Sequence, residues 1–221
     1  MMIRMKRLPH GISLLICSHR KLTTVVVGSG ALGLYYGSRL STNNSDVHFI
    51  MRTDYERAKS HGVDVTSYDG TKLQLRKENW PTCRFHKSYE SIPQIASGVD
   101  WILVSLKSPA LAAKSTDKTE EYNTEIRDLI APLLGPHTRI LVLMNGLGCE
   151  KPFGQWFGHH RVFGGMAFVC VNRIRPAASA PLEIKHIAHG ALQIGKGKDI
   201  DYCHNYSIPS CIFNMFRSCS L

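Results

Sequence analysis

No apolar run in this chain approaches the ~20 residues that cross a bilayer as a helix. The longest candidate, 11–17, is short and polar at its edges, so no membrane span is expected. The seven cysteines, Cys17, Cys83, Cys149, Cys170, Cys203, Cys211 and Cys219, form no C-x-x-C pair. Zinc and thioredoxin-like readings therefore lack support. An odd cysteine count without a secretory signal predicts reduced thiols in an intracellular compartment. His159, His160, His186 and His189 have neither metal spacing nor a paired nucleophile, and no metal ion is expected. A G-x-S-x-G elbow is also absent, which leaves a hydrolase poorly supported.

Acidic residues are missing before Asp46, whereas Arg4, Lys6, Arg7, Arg20, Lys21 and Arg39 all precede it. The formal net charge is +10, which attracts anions such as nucleic acid, an acidic membrane or a phosphorylated cofactor. Beyond the N-terminal region the basic residues are scattered, with no run of five like charges and no aromatic interleaving. The expectation is therefore a phosphorylated cofactor, with no nucleic-acid or membrane partner. Residues 1–22 have the basic, serine-containing composition of a mitochondrial transit peptide. Pro9-His10-Gly11 interrupts any long amphipathic helix there, so a disordered extension on a cytoplasmic protein is the alternative.

What the chain does contain alternates between strand and helix signals. Residues 24–27 are a β-branched apolar run, the mark of a buried strand. Gly28-Ser29-Gly30 follows, then a helix over 31–40 with Leu32, Tyr35, Tyr36 and Leu40 at helical spacing. Residues 47–51 read as a second strand, and Asp54 as the N-cap of a helix over Tyr55–His61 that Gly62 closes. Segments 63–66 and 71–75 alternate at period two around Asp69-Gly70, which predicts a hairpin. Further strands are expected over 101–106, 139–144, 161–171 and 182–194, the last folded about His189-Gly190. Helices are expected over 88–97 and about 109–134. This order predicts an α/β fold: a Rossmann-type, mainly parallel sheet with flanking helices, over 23–197. A divergent tail, 198–221, follows.

Gly28-Ser29-Gly30-Ala31-Leu32-Gly33 is a G-x-G-x-x-G motif placed between a buried strand and a helix start, where dinucleotide binding requires it. Gly28 permits the tight turn, Gly30 the close approach of a pyrophosphate, and Gly33 close helix–strand packing. The plain alternative is a glycine-rich turn without a ligand. Arg52 lies 19 positions after Gly33, at the end of the second strand. An NAD site places a carboxylate there, whereas a guanidinium favours a 2′-phosphate, so NADP(H) is expected. Asp54, two residues later, is the competing ribose contact. Lys107 and Asn145 follow the strands at 101–106 and 139–144 and face the cofactor side if those assignments hold. Their alternatives are a surface charge and a simple turn.

Taken together these residues resemble the ketopantoate reductase family, the 2-dehydropantoate 2-reductases. The resemblance is carried by Gly28 to Gly33, Arg52, Leu106-Lys107, Asn145-Gly146-Leu147-Gly148 and His186-Ile187-Ala188-His189-Gly190, over about 24–197. It implies NADPH-dependent reduction of a 2-oxo acid to a 2-hydroxy acid, as from ketopantoate to pantoate in pantothenate biosynthesis. By that likeness Arg52 holds the adenosine 2′-phosphate, Lys107 lines the cofactor cleft, and Asn145 lies near the nicotinamide ribose and the substrate. Family members continue into an all-helical domain that carries the catalytic lysine. After Gly197 no family motif is found, and three of the seven cysteines fall in the last 19 residues. That domain is expected to be missing from a truncated or altered C-terminus, so no catalytic residue is assigned. Lys185 and Lys196 do not match the family position and read as surface charges. Two main functions remain open: a reductase impaired by the missing domain, or a non-catalytic NADP-binding module or redox sensor. A third, minor reading, driven by the net charge, is an anion- or nucleic-acid-binding protein. Apolar surface left on the final strands points to a homo-oligomer or a partner chain.

Overall fold

Five consecutive β-branched residues, Thr23–Val27, favour the pleated backbone because their χ1 angles are stiff. In the computed structural model they form a central strand of the sheet. The structure describes residues 3–7, 13–17, 21–42, 45–76, 78, 83–92, 98–107, 117–174, 177 and 179–195. The strands are β1 (Ile3–Arg7), β2 (Ser13–Cys17), β3 (Thr23–Val27), β4 (Asp46–Ile50), β5 (Val63–Thr66), β6 (Lys72–Leu75), β7 (Cys83–His86), β8 (Trp101–Val104), β9 (Arg139–Val142), β10 (Val162–Ile174) and β11 (Leu182–Gly195). The helices are α1 (Ala31–Thr42), α2 (Tyr55–His61), α3 (Asp117–Ile130) and α4 (Lys151–Phe157).

Among the described residues nine strands form one sheet in the order β6-β5-β11-β10-β9-β8-β3-β4-β7. Neighbours from β10 to β7 run parallel, as do β11 and β5. The pairs β10–β11 and β5–β6 are antiparallel, so the expected mainly parallel α/β sheet is what forms. Period-two alternation sends Val25 and Val27 to one face and Val26 to the other. Val26, Phe49, Leu103 and Leu141 pack with Leu34, Tyr35, Tyr36 and Leu40 of α1. Val27, Ile102, Ile140 and Val142 pack with Ile126 and Ile130 of α3 and Phe153 of α4.

Several sequence expectations need correction. Asp54 makes no side-chain cap on α2; its carboxylate pairs instead with Arg173 at the far end of β10. Residues 182–194 do not fold about His189-Gly190, because β11 runs unbroken beside β10. The register skips Gly190, and His189 takes φ 61, so these two residues form a β-bulge. The His186 ring braces it, with Nε2 donating to the His189 carbonyl and Nδ1 taking the Tyr35 hydroxyl at 3.1 Å. Between 88 and 92 the chain forms only a short 3-10 turn, Tyr89–Ser91.

β7 and α4 were not foreseen, and β1 pairs antiparallel with β2 as a separate two-stranded ribbon within the basic extension. Residues 93–97 and 109–116 of the two expected helices, together with Lys196, Gly197 and the tail, lie outside the described residues. On the final strands Met166, Phe168 and Ile187 are exposed.

Candidate functional site

Four neighbouring strands end on a common row. The register pairs Ile50 with Val27, Val27 with Val104, and Val104 with Val142. The carboxyl ends of β4, β3, β8 and β9 therefore lie side by side across about 14 Å. The residues marked out by the sequence begin within three positions of that row. Gly28, Ser29 and Gly30 follow β3, Arg52 follows β4, Lys107 follows β8 and Asn145 follows β9. Ala31, Leu32 and Gly33 open α1. In open α/β sheets this edge is where ligands lie.

The glycine turn is shaped by close backbone contacts. Gly28 takes φ 98, and a Cβ there would come within 2.7 Å of the Ser105 carbonyl carbon. A Cβ on Gly33 would overlap the Gly28 carbonyl oxygen and Ser105 Oγ, so only hydrogen fits between helix and turn. A Cβ on Gly30 would meet no atom of the described residues within 4 Å. Gly30 thus borders open space at the N-terminus of a 12-residue helix whose first turn carries no acidic residue. Its unopposed N–H groups and partial positive charge suit a phosphate. The donor set fits the pyrophosphate of a dinucleotide.

Arg52 is exposed beyond β4, and no ion pair among the described residues engages it. Asp54 is only 15% exposed at its side chain and is bound to Arg173. The two candidate ribose contacts are thereby separated: the carboxylate is neutralised inside the protein while the guanidinium stands at the strand ends. Lys107 is exposed at the end of β8. Asn145 is exposed in a turn closed from below by Cys149, whose thiol reaches the Asn145 carbonyl at 3.5 Å. Burial, followed by the Glu150 charge, pushes the Cys149 thiol above its ordinary value.

Other residues weighed from the sequence sit elsewhere. His186 is buried on the α1 side in the bulge brace, and Lys185 is exposed beside Glu183 at 3.4 Å. His159 and His160 lie exposed in a 3-10 turn after α4. Among the described residues no three His, Cys, Asp or Glu side chains gather as a metal site, and no helix is long and apolar enough to cross a membrane. Sequence reasoning missed Ser105, whose hydroxyl donates to the Gly28 carbonyl at 2.6 Å. Its only signal was a serine just before Leu106-Lys107.

Residues 24–199 match the family model described as ketopantoate reductase PanE/ApbA. The chain belongs to that family. A 2-dehydropantoate 2-reductase of Nostoc sp. is 29% identical over 182 residues, which cover 82% of this chain and 47% of the relative. The crystal structure of 2-dehydropantoate 2-reductase from Geobacter metallireducens is 32% identical with a TM-score of 0.66, covering 90% of this chain and 56% of the other. The Methylococcus capsulatus enzyme of the same name superposes with a TM-score of 0.59 at 25% identity, covering 79% of this chain and 48% of the other. The chain spans about half the length of the ketopantoate reductases it matches. The matched half is the Rossmann-like sheet domain, and it contains every site residue named above.

Proposed function

We propose that this chain supplies the cofactor-binding half of an NADPH-dependent reductase converting a 2-oxo acid to a 2-hydroxy acid, of the ketopantoate-to-pantoate type. The supporting observation is the row of strand ends that sets the glycine turn, Arg52, Lys107 and Asn145 along one edge of four adjacent parallel strands. In this reading Gly28 to Gly33 cradle the pyrophosphate, and Arg52 takes the 2′-phosphate with charge-assisted hydrogen bonds. Lys107 and Asn145 line the cleft toward the nicotinamide end. Bound NADPH supplies the hydride. The cofactor-binding unit is taken as 23–197, with 1–22 as an extension and 198–221 as a tail.

Arg52→Asp is expected to raise the NADPH dissociation constant by about 10- to 100-fold, the value of a charged hydrogen bond. NADH affinity should change by no more than a few-fold, as paired fluorescence titrations would show. Turnover tests the rest of the reading. NADPH oxidation with ketopantoate is measured for the chain alone and for the chain continued after Gly197 with the remaining half of a relative. Ketopantoate-dependent oxidation that Arg52→Asp weakens is the expected result. Oxidation absent from both, in a protein that still binds NADPH, would favour a non-catalytic NADP-binding module.

A further inference from the structure

Two serine hydroxyls at the site are committed to carbonyl groups of the protein. Ser29 Oγ donates to the Ile50 carbonyl at 2.9 Å, and Ser105 Oγ donates to the Gly28 carbonyl at 2.6 Å. Ile50 closes β4, and only Met51, whose N–H bonds the His86 carbonyl at 2.9 Å, separates it from Arg52. Ser105 follows β8, two residues before Lys107, with its own N–H on the Val27 carbonyl at 2.8 Å. It is 9% exposed and lies against Gly33. The glycine turn is therefore tied on one side to the strand end that carries Arg52. On the other side it is tied to the strand end that carries Lys107.

We infer that Ser29 and Ser105 are positioning residues, with Ser29 fixing the spacing between the pyrophosphate turn and Arg52 and thereby setting the preference for a 2′-phosphorylated nucleotide. The inference rests on the cofactor reading above. A nucleotide without the 2′-phosphate uses the turn and ribose contacts alone, whereas NADPH must satisfy the turn and the guanidinium together. Rigid spacing matters only to the second. Removing the Ser29 hydroxyl loosens that spacing and leaves the turn held by Ser105. Removing the Ser105 hydroxyl loosens the turn and affects both nucleotides alike.

The test is fluorescence titration of the full chain and its Ser29→Ala, Ser29→Thr and Ser105→Ala variants with NADPH and NADH, with urea midpoints measured alongside. Ser29→Ala should raise the NADPH dissociation constant by about 3- to 10-fold, the reach of one neutral hydrogen bond. NADH binding should stay within about twofold, so the selectivity ratio falls, and Ser29→Thr should restore it. Ser105→Ala should weaken both nucleotides by a common factor. An unchanged ratio in Ser29→Ala, or equal loss for both nucleotides, overturns the inference while leaving the cofactor reading intact. A folded wild-type chain that binds neither nucleotide removes both.

Discussion

Gly33→Ala should unfold at markedly lower urea concentration than the unaltered chain and lose NADPH binding, whereas Gly30→Ala should keep its stability and lose binding alone. The two glycines share a motif but meet different surroundings. At Gly33 an added methyl falls on the Gly28 carbonyl and the Ser105 hydroxyl. The Gly28 carbonyl belongs to a turn pinned by hydrogen bonds, so α1 must move off the sheet. Forcing a methyl into such packing costs about 1–3 kcal/mol, and a pinned backbone neighbour puts this site at the upper end. For a chain of this size that lowers the melting temperature by about 6–12 °C. At Gly30 the methyl meets no atom of the described residues within 4 Å, and the backbone is not in a left-handed conformation. Among the described residues nothing stands in its way, so what it displaces is a ligand approaching the turn. An increase of about tenfold or more in the NADPH dissociation constant, with an unchanged melting temperature, is expected. Gly30→Ala binding NADPH as tightly as the unaltered chain would place the pyrophosphate elsewhere.

Acid should weaken the fold between about pH 6.5 and pH 4 through a pair of histidines at the β4–β7 edge. His48 Nδ1 and His86 Nε2 face each other at 2.9 Å, and His86 Nδ1 meets Ser91 Oγ at 3.0 Å. One ring must donate and the other accept, which suits two neutral imidazoles. Burial, then the neighbouring His48 and Arg84, pushes His86 down to about 4. Burial also lowers His48, against the opposing pull of Asp46. Unfolded histidines take up protons near pH 6.5. Over this window the unfolded chain therefore binds more protons than the folded one, and stability falls as pH drops. The loss is fully developed below about pH 4 and amounts to roughly 3 kcal/mol from His86 alone, with His48 adding in the same direction. Urea midpoints from neutral pH down to about pH 4.5 read it, with His86→Gln as the reference because carboxylates titrate at the low end in both proteins. A smaller loss in His86→Gln is expected; identical slopes would show that the pair is not a source of acid sensitivity.

Much of this architecture was legible because it is local. The β-branched run ending at Val27, the glycine motif after it and the helical spacing of Tyr35, Tyr36 and Leu40 are contiguous signals, and each specifies one element. The strands that precede Arg52, Lys107 and Asn145 followed from reading where apolar runs stop, although β4 closes one residue earlier than read and β8 and β9 two residues earlier. What escaped depended on partners distant in sequence. Asp54 reads as a helix cap or a ribose contact until Arg173, 119 residues away, takes its carboxylate. The sequence Cys83-Arg84-Phe85-His86 has no β-branched residue and becomes a strand through pairing with β4, where His86 joins His48. His189-Gly190 carries the composition of a turn. Only the continuous pairing of β11 with β10 makes it a bulge. Ser105 showed no pattern of its own, and its role comes from its hydrogen bond to Gly28 across adjacent strands.

The most direct measurement is fluorescence titration of the unaltered chain with NADPH, with NADH run in parallel under the same salt conditions. Saturable binding of NADPH, at least about tenfold tighter than NADH, is the expected result and follows from Arg52 standing beside the glycine turn. A folded chain that binds neither nucleotide, or binds both equally, would contradict it: the first outcome makes the glycine turn purely structural, and the second removes Arg52 from the site.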